Sequence, residues 1–389
     1  MTTHISDSIR YIGCDDYSLD LFESKYPLSH GVAYNSHLIL DEKCAVIDTM
    51  DARCSEEWLT KLDTELGGRQ IDYLIISHME PDHAASISLL VERHPSLTIV
   101  GTAKALAMLP LYFALPESTE QLAVADSDTL SLGNHTLRFL TAPMVHWPEV
   151  MISYEETERV LFSADAFGRF GTLDHEQEWE DEARRYYYNI VGKYGAQVQT
   201  LLAKVAPLDI RVIASLHGPL LTDNLGYYIG KYDAWSRYQP EEKGVLIVCA
   251  SIYGNTLRAT QRLAEILEKE HSTTTKIIDL TRHDSSAALA EAFRYEKMVV
   301  AASTYDGGIF TPMDNFLQQL AQKGYRSRRV GIVENGSWAP MAARRMREIL
   351  ESMRDISICN DVVTLRGALK ECYEEVLHSL AAQLQEGNI

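Results

Sequence analysis

The run Tyr73-Leu-Ile-Ile-Ser77 passes directly into His78-Met-Glu-Pro-Asp-His83, so a segment with the composition of a buried strand ends on four metal-ligating side chains within six residues. The same junction recurs downstream. His146 follows Leu137-Arg-Phe-Leu-Thr-Ala-Pro143, Asp165 follows Arg159-Val-Leu-Phe-Ser-Ala164, and His217 follows Arg211-Val-Ile-Ala-Ser-Leu216. Short apolar runs rich in β-branched residues predict strands. In an α/β layer the loops at the carboxyl ends of such strands converge on one rim, held rigidly from below. The pattern therefore predicts a layer whose rim gathers His78, Glu80, Asp82, His83, His146, Asp165 and His217. Such a set suffices for two metal ions about 3.5 to 4 Å apart, with a carboxylate such as Asp165 able to bridge them.

Glu80 bears on the choice of metal. Dinuclear zinc hydrolases of the metallo-β-lactamase fold carry His-x-His-x-Asp-His here, whereas this chain has His-x-Glu-x-Asp-His. The exchange adds a hard, anionic oxygen donor. A mixed imidazole and carboxylate set suits iron better than an imidazole-rich one, while zinc and manganese stay compatible on affinity alone.

A length of 389 residues predicts two or three domains. The net charge of -19 argues against non-specific binding to nucleic acid or an anionic membrane, both of which need a basic face. The sequence contains no apolar stretch of transmembrane length, and its first residues lack the basic and apolar regions of a signal peptide, so the expectation is a cytoplasmic protein. Cysteines 14, 44, 54, 249, 359 and 372 never form a C-x-x-C pair, which excludes a cysteine-ligated zinc, a C-x-x-C redox pair and a rubredoxin-type iron site. They read as small buried hydrophobes.

Near Ser236-Arg-Tyr-Gln-Pro-Glu-Glu-Lys-Gly244 the chain turns polar, which predicts a linker between a domain over 1–240 and another over 244–389. Beyond it, strands over 245–250, 276–280, 298–303, 329–334 and 361–365 alternate with helices, the pattern of a parallel sheet covered on both faces. The first loop, Ser251-Ile-Tyr-Gly-Asn-Thr256, opens a helix. Gly254 permits a tight turn, exposed N–H groups and the helix dipole favour an anion, and Ser251, Asn255 and Thr256 add polar groups beside Ile252 and Tyr253. The loop has neither the G-K-[ST] ending of a triphosphate loop nor G-x-G-x-x-G, so the single phosphate of a flavin mononucleotide is the better match. Two further loops at the same sheet edge, Ser303-Thr-Tyr-Asp-Gly-Gly308 and Asn335-Gly-Ser-Trp338, offer aromatics to stack on a flavin ring and glycines for close backbone approach. The candidate contacts there are Ser303, Thr304, Tyr305, Asp306, Gly307, Gly308, Asn335, Gly336, Ser337 and Trp338.

Together with His30-Gly-Val-Ala-Tyr-Asn35, His146-Trp-Pro-Glu149, Asp165-Ala-Phe-Gly168 and His217-Gly-Pro219, these stretches make the whole chain resemble the flavodiiron proteins, or A-type flavoproteins. The resemblance implies an α/β architecture: a metallo-β-lactamase-like αββα sandwich followed by a flavodoxin-like doubly wound parallel sheet. It implies two non-haem iron ions, one held by His78, Glu80 and His146, the other by Asp82, His83 and His217, with Asp165 bridging. At His83 a water is an alternative ligand. FMN is expected at 251–256, 303–310 and 335–338, where Asn-Gly-Ser-Trp-Ala-Pro departs from the glycine-rich third loop common in the family.

The implied activity is reduction of dioxygen to water or of nitric oxide to nitrous oxide, with His30 and Trp147 as pocket-wall groups and His30 a proton donor. The implied assembly is a head-to-tail homodimer, with a tetramer as the larger form. Electrons are expected from a rubredoxin-like protein or a reduced deazaflavin coenzyme, with Arg344, Arg345 and Arg347 as a docking patch. Two other readings fit parts of the pattern, a dinuclear metal hydrolase with a flavodoxin-like appendage and a flavin electron carrier. Glu80 with the flavin loop opposes the first, and the complete ligand set opposes the second.

Overall fold

The computed structural model describes residues 4–175 and 178–386, which form two compact units, Met1–Asp233 and Ala234–Ile389.

In the first unit, strands β1 (Ile9–Tyr11), β2 (His37–Ile39), β3 (Ala45–Ile47), β4 (Tyr73–Ile75), β5 (Thr98–Thr102) and β6 (Glu120–Val124) form one sheet in sequence order. The β1–β2 and β2–β3 pairs are antiparallel, and those from β3 to β6 are parallel. A second sheet holds β7 (Thr129–Ser131), β8 (Thr136–Thr141), β9 (Met151–Glu155), β10 (Val160–Phe162) and β11 (Val212–Ala214), antiparallel except for the last pair. One apolar cluster joins the two sheets: Ile39, Ile47, Ile75 and Val100 from the first meet Leu137, Phe139, Phe162 and Val212 from the second. Leu137 and Phe139, two apart on β8, both enter it, as the period of two requires. This is sheet-on-sheet packing around a shared core.

The second unit is built on β12 (Glu242–Ala250), β13 (Thr275–Asp279), β14 (Tyr295–Tyr305), β15 (Arg328–Asn335) and β16 (Ile356–Leu365), in the order β13-β12-β14-β15-β16. All four pairings are parallel. That is a doubly wound order whose switch point lies between β12 and β14. One face packs Val245, Ile247, Val299 and Val333 against Leu263 and Leu267 of the helix Asn255–His271 and Leu377 and Leu380 of the helix Glu374–Gln385.

The polar stretch expected as a linker is largely built into the second unit. Trp235 and Tyr238 are buried, and the fully buried Arg328 donates to the carbonyls of Tyr238, Phe293 and Tyr295. The division falls between Asp233 and Ala234, within the helix Leu225–Ser236, because these aromatics anchor the chain before the charged residues begin.

Candidate di-metal centre and flavin cleft

His78 and Glu80 occupy the loop after β4, and Asp82 and His83 the single helical turn Pro81–Ala84 that follows it. His146 lies between β8 and β9, Asp165 after β10 and His217 after β11. The backbone around them is unusual. Asp48, Met144, Ala164 and Phe167 all have left-handed φ, at 53, 65, 51 and 68 degrees. Strain of this kind collects where surrounding structure holds a functional geometry.

The seven side chains form two groups. In the first, Glu80 Oε2 lies 3.1 Å from His78 Nε2 and 3.0 Å from His146 Nε2, and Asp165 Oδ2 lies 3.5 and 3.0 Å from the same two nitrogens. In the second, His83 Nε2 and His217 Nε2 are 3.1 Å apart, and Asp82 Oδ2 is 3.3 Å from each. Asp165 Oδ1 is 3.4 Å from His83 Nε2 and 3.7 Å from His217 Nε2. Asp165 thus turns one oxygen to each group.

These separations suit cations at the two centres, because ligands about 2.1 Å from a common ion stand about 3.0 to 3.4 Å from one another. The tautomers agree. His78 Nδ1 faces Glu149 Oε1 at 2.8 Å and His217 Nδ1 faces the Ala33 carbonyl at 2.9 Å, so both rings donate outward and turn an Nε2 lone pair inward. The carboxylate oxygens of Asp82 and Asp165 are buried and receive no hydrogen bond. Buried anions in that condition are costly unless a cation neutralises them. Burial disfavours the charged ring of His146, yet Asp165 and Glu80 push it up to about 9. Burial likewise disfavours the Glu80 carboxylate, yet His146 and His78 hold it well below the usual range. The residues present therefore fit a pair of metal ions.

Sequence reasoning did not single out Glu149 or Asp48. Besides His78, Glu149 Oε1 accepts from Met79 N at 3.0 Å. Asp48 Oδ1 accepts from Ser77 N at 2.7 Å, and burial pushes its carboxyl up to about 6. Glu149 stood three residues after His146 in the sequence, a signal that its buried position now explains.

Trp147 packs edge-on against His78, with centroids 5.1 Å apart. His30 is placed elsewhere: it is exposed, stacks on His175 at 3.6 Å, and lines a small cleft with Phe170, Glu182 and Arg185, none of them one of the seven. The rings flanking His217 are instead Phe22, Tyr34 and Tyr186. An open cleft of about 200 Å³ beside Glu80 and Asp82 is lined by Leu21, Phe22, Tyr34, Asp51 and Arg53.

In the second unit a cleft at the carboxyl ends of the strands is lined by Ser251, Ile252, Tyr253, Asn255, Thr256, Ser303, Thr304, Asn335, Gly336, Ser337 and Trp338. Gly254 has φ 84 and donates its N–H to Ser251 Oγ. Two expected contacts are committed elsewhere. The Thr304 hydroxyl accepts from Met341 N and Ala342 N, and the Asn335 amide exchanges two hydrogen bonds with Gly367, a lining residue the sequence reading missed. Tyr305 to Gly308 form a hairpin off β14 and are not among the lining residues, since Asp306 and Gly307 turn the chain back on itself. Tyr253 and Trp338 stand 88% and 90% exposed at the rim, so a planar ligand has aromatic faces free to meet it. With the helix N-terminus at Asn255, the cleft fits FMN. Arg344 and Arg345 both pair with Glu348, and Arg347 with Glu351, so the expected docking patch is largely neutralised along its own helix.

The family described as ODP family beta lactamase matches residues 32–218. The anaerobic nitric oxide reductase flavorubredoxin of Aliivibrio fischeri is 29% identical over 362 residues, 90% of this chain and 73% of that protein. The rubredoxin oxygen:oxidoreductase of Desulfovibrio gigas superposes with a TM-score of 0.91 at 25% identity, covering 99% of this chain and 98% of that one. The flavodiiron protein of Giardia intestinalis gives 0.92 at 24%, over 99% and 97%. With two candidate ligand groups that both face Asp165 on the first unit and a flavodoxin-like cleft on the second, the chain is similar in sequence and fold to the flavodiiron proteins.

Proposed function

We propose that this protein is an oxidoreductase that reduces dioxygen to water, nitric oxide to nitrous oxide, or both, with two non-haem iron ions and FMN as cofactors. The observation that carries this reading is Asp165, with one oxygen in each ligand group, beside a Glu80 that makes the first group carboxylate-rich. His78, Glu80 and His146 would hold one iron and Asp82, His83 and His217 the other. When bound, the irons and the reduced flavin supply four electrons, enough for dioxygen to become two waters, or two of them for two nitric oxide molecules to couple.

The remaining work falls to the chain. Glu149 and the Ala33 carbonyl fix the imidazole tautomers, which keeps both inner Nε2 atoms free of protons. Phe22, Tyr34, Tyr186 and Trp147 wall the site with rings and limit bulk water around an uncharged diatomic substrate. The Tyr34 hydroxyl, 3.1 Å from Arg53 Nη2 at the cleft, is an ordered polar group on the path from solvent.

The flavin cleft and the metal groups belong to different units, so a head-to-tail homodimer, or a tetramer of such dimers, is the assembly that would bring one copy's flavin to its partner's irons. A small acidic rubredoxin-type protein is the expected electron donor, and reduced deazaflavin coenzyme the other. Among the described residues no helix is long and apolar enough to cross a membrane, and the charge of -19 disfavours nucleic acid as a partner. The test is stopped-flow reoxidation of the reduced, iron-loaded protein by each gas. Rapid multi-turnover oxidation by one of them names the substrate. If neither reoxidises the wild type faster than a His146→Ala variant, the reading is wrong.

A further inference from the structure

Trp179 is joined to the metal groups through the backbone. Phe167 lies just beyond Asp165, in a turn closed by Gly168 N donating to the Asp165 carbonyl at 3.0 Å. The Phe167 carbonyl accepts from the indole N–H of the buried Trp179 at 3.0 Å. A path of covalent bonds and one hydrogen bond therefore runs from the carboxylate that faces both groups to an oxidisable ring. From there the rings continue outward to Tyr227, whose ring centroid is 6.3 Å from that of Trp179. Tyr227 is 38% exposed, and its hydroxyl donates to Glu180, a carboxylate held by Arg184 and by Lys231 at 2.9 Å. Tyr228 meets Trp179 more closely, at 4.8 Å, but among the described residues its hydroxyl has no carboxylate partner. Tyr186 touches His217, yet it is fully buried beside Phe22 and Phe170, whose rings are far harder to oxidise.

We propose that Trp179 and Tyr227 form a relay that carries single electrons from an external reductant of the thiol or ascorbate class to the di-metal site when the flavin is oxidised. The relay rests on the oxygen-reducing reading of that site. Dioxygen needs four electrons to become two waters, two ferrous ions hold two, and an oxidised flavin supplies none, so the site is left two short. Trp179 gives up one electron and becomes a radical cation. Tyr227 refills it, and as its electron leaves, its phenolic proton moves along the hydrogen bond to Glu180. The proton must move, because Lys231 Nζ lies 5.6 Å over the Tyr227 ring and opposes a positive charge there. The neutral phenoxyl radical at the surface then takes a hydrogen atom from the reductant, and Glu180 releases its proton to water. Two passages deliver the two missing electrons, and they convert two thiols to one disulfide or one ascorbate to its dehydro form. Oxidation is thereby moved off the ligand histidines and out to a solvated ring.

The test uses the full chain with oxidised FMN, loaded anaerobically with ferrous iron, mixed with dioxygen and freeze-quenched for electron paramagnetic resonance. Wild type should give a radical signal that narrows when the protein contains ring-deuterated tyrosine, which separates it from a flavin radical, and ascorbate should abolish it. Tyr227→Phe should lose the tyrosyl signal, and Trp179→Phe should lose it as well. Both variants should keep the wild-type iron content and, with the flavin reduced beforehand, reoxidise at the wild-type rate. Tyr227→Phe, a change at an exposed ring, decides the matter if Trp179→Phe fails to load iron. A wild type that turns over with reduced flavin yet gives no deuterium-sensitive radical overturns the relay alone, and so does an undiminished tyrosyl signal in iron-loaded Trp179→Phe or in Tyr227→Phe. Failure of the wild type to reoxidise with reduced flavin overturns the function and the relay together.

Discussion

Glu149 is fully buried and touches no expected metal position, yet it holds the His78 ring and the Met79 amide together. Groups that orient a ligating imidazole typically set metal affinity by about 10- to 100-fold. Glu149→Gln should therefore lower iron retention against a chelator by that factor while leaving the far-ultraviolet circular dichroism unchanged. Equal retention would show that His78 needs no such support. A second residue tests the core between the sheets. Burial pushes His37 from 6.5 to about 3, its Nε2 has no partner, and its ring packs on Tyr11 and Phe162. The unfolded chain binds this proton at 6.5 and the folded chain only near 3, so the neutral ring costs nothing above 6.5 and stability falls as pH drops between the two values. The loss is on the order of 4 kcal/mol. Denaturant unfolding of His37→Leu at pH 7 and at pH 4 should show a smaller difference than wild type, and an identical difference would remove His37 from the account. At this scale the seven ligand candidates were legible, because each ends an apolar run. Glu149, Asp48 and Gly367 were not, since their roles arise from loops meeting in space, and His30 stacks on His175 beside a cleft that none of the seven lines, a placement its own stretch does not announce.

The loop and helix that open the second unit show how an element makes a site from backbone alone. Gly254 has φ 84, and a Cβ there would meet only the Arg258 guanidinium, at 4.0 Å. A substitution would be strained without being crowded. Gly254→Ala should cost about 1 to 2 kcal/mol of backbone strain, the usual penalty for a left-handed residue with a Cβ. If the cleft takes the FMN phosphate on that turn, flavin affinity should fall by about tenfold in a fluorescence titration. Gly307→Ala is the control: φ is 73 with open space around it, but it sits on the hairpin beyond Thr304 and is not one of the residues lining the cleft. It should lower stability by a similar amount and leave FMN affinity unchanged, and a matched loss of affinity in both variants would mean that the turn is not the phosphate seat. Elements of this unit were readable because β12, β14 and β15 are buried on both faces, which gives continuous apolar runs. The first unit was harder. Many of its strands are three residues long, too short for a period of two to declare itself, and the early hairpins Cys14–Asp16 with Val32–Tyr34 and Leu21–Phe22 with Tyr26–Pro27 left no mark in the sequence reading.

Among the described residues an apolar core lies between the sheets of the first unit and another beneath the helices of the second, and each candidate cofactor site stands on a different one. Ligand binding stabilises only the cooperative unit that holds the ligand, by about 2.7 kcal/mol at a hundredfold excess over Kd. For units of this size that corresponds to a shift of roughly 5 to 10 °C. Thermal unfolding should therefore resolve into two transitions with separate dependences. Removing iron with a chelator should lower the transition of residues 1–233 and leave the other in place, while titrating FMN into flavin-free protein should raise only the transition of residues 234–389. Loss of ferric absorbance and gain of flavin fluorescence assign each transition without a truncated chain. One transition moved equally by iron and by FMN would mean that the units unfold together, and the physical reason would then lie in the helix Leu225–Ser236, whose residues fall on both sides of the division. That helix gives the second arm of the experiment. Trp235 is fully buried and its indole N–H donates to Glu241 at 3.0 Å, so Trp235→Phe keeps the ring and loses the bond. The variant should lower the second transition alone if the units are independent, and both together if the helix couples them.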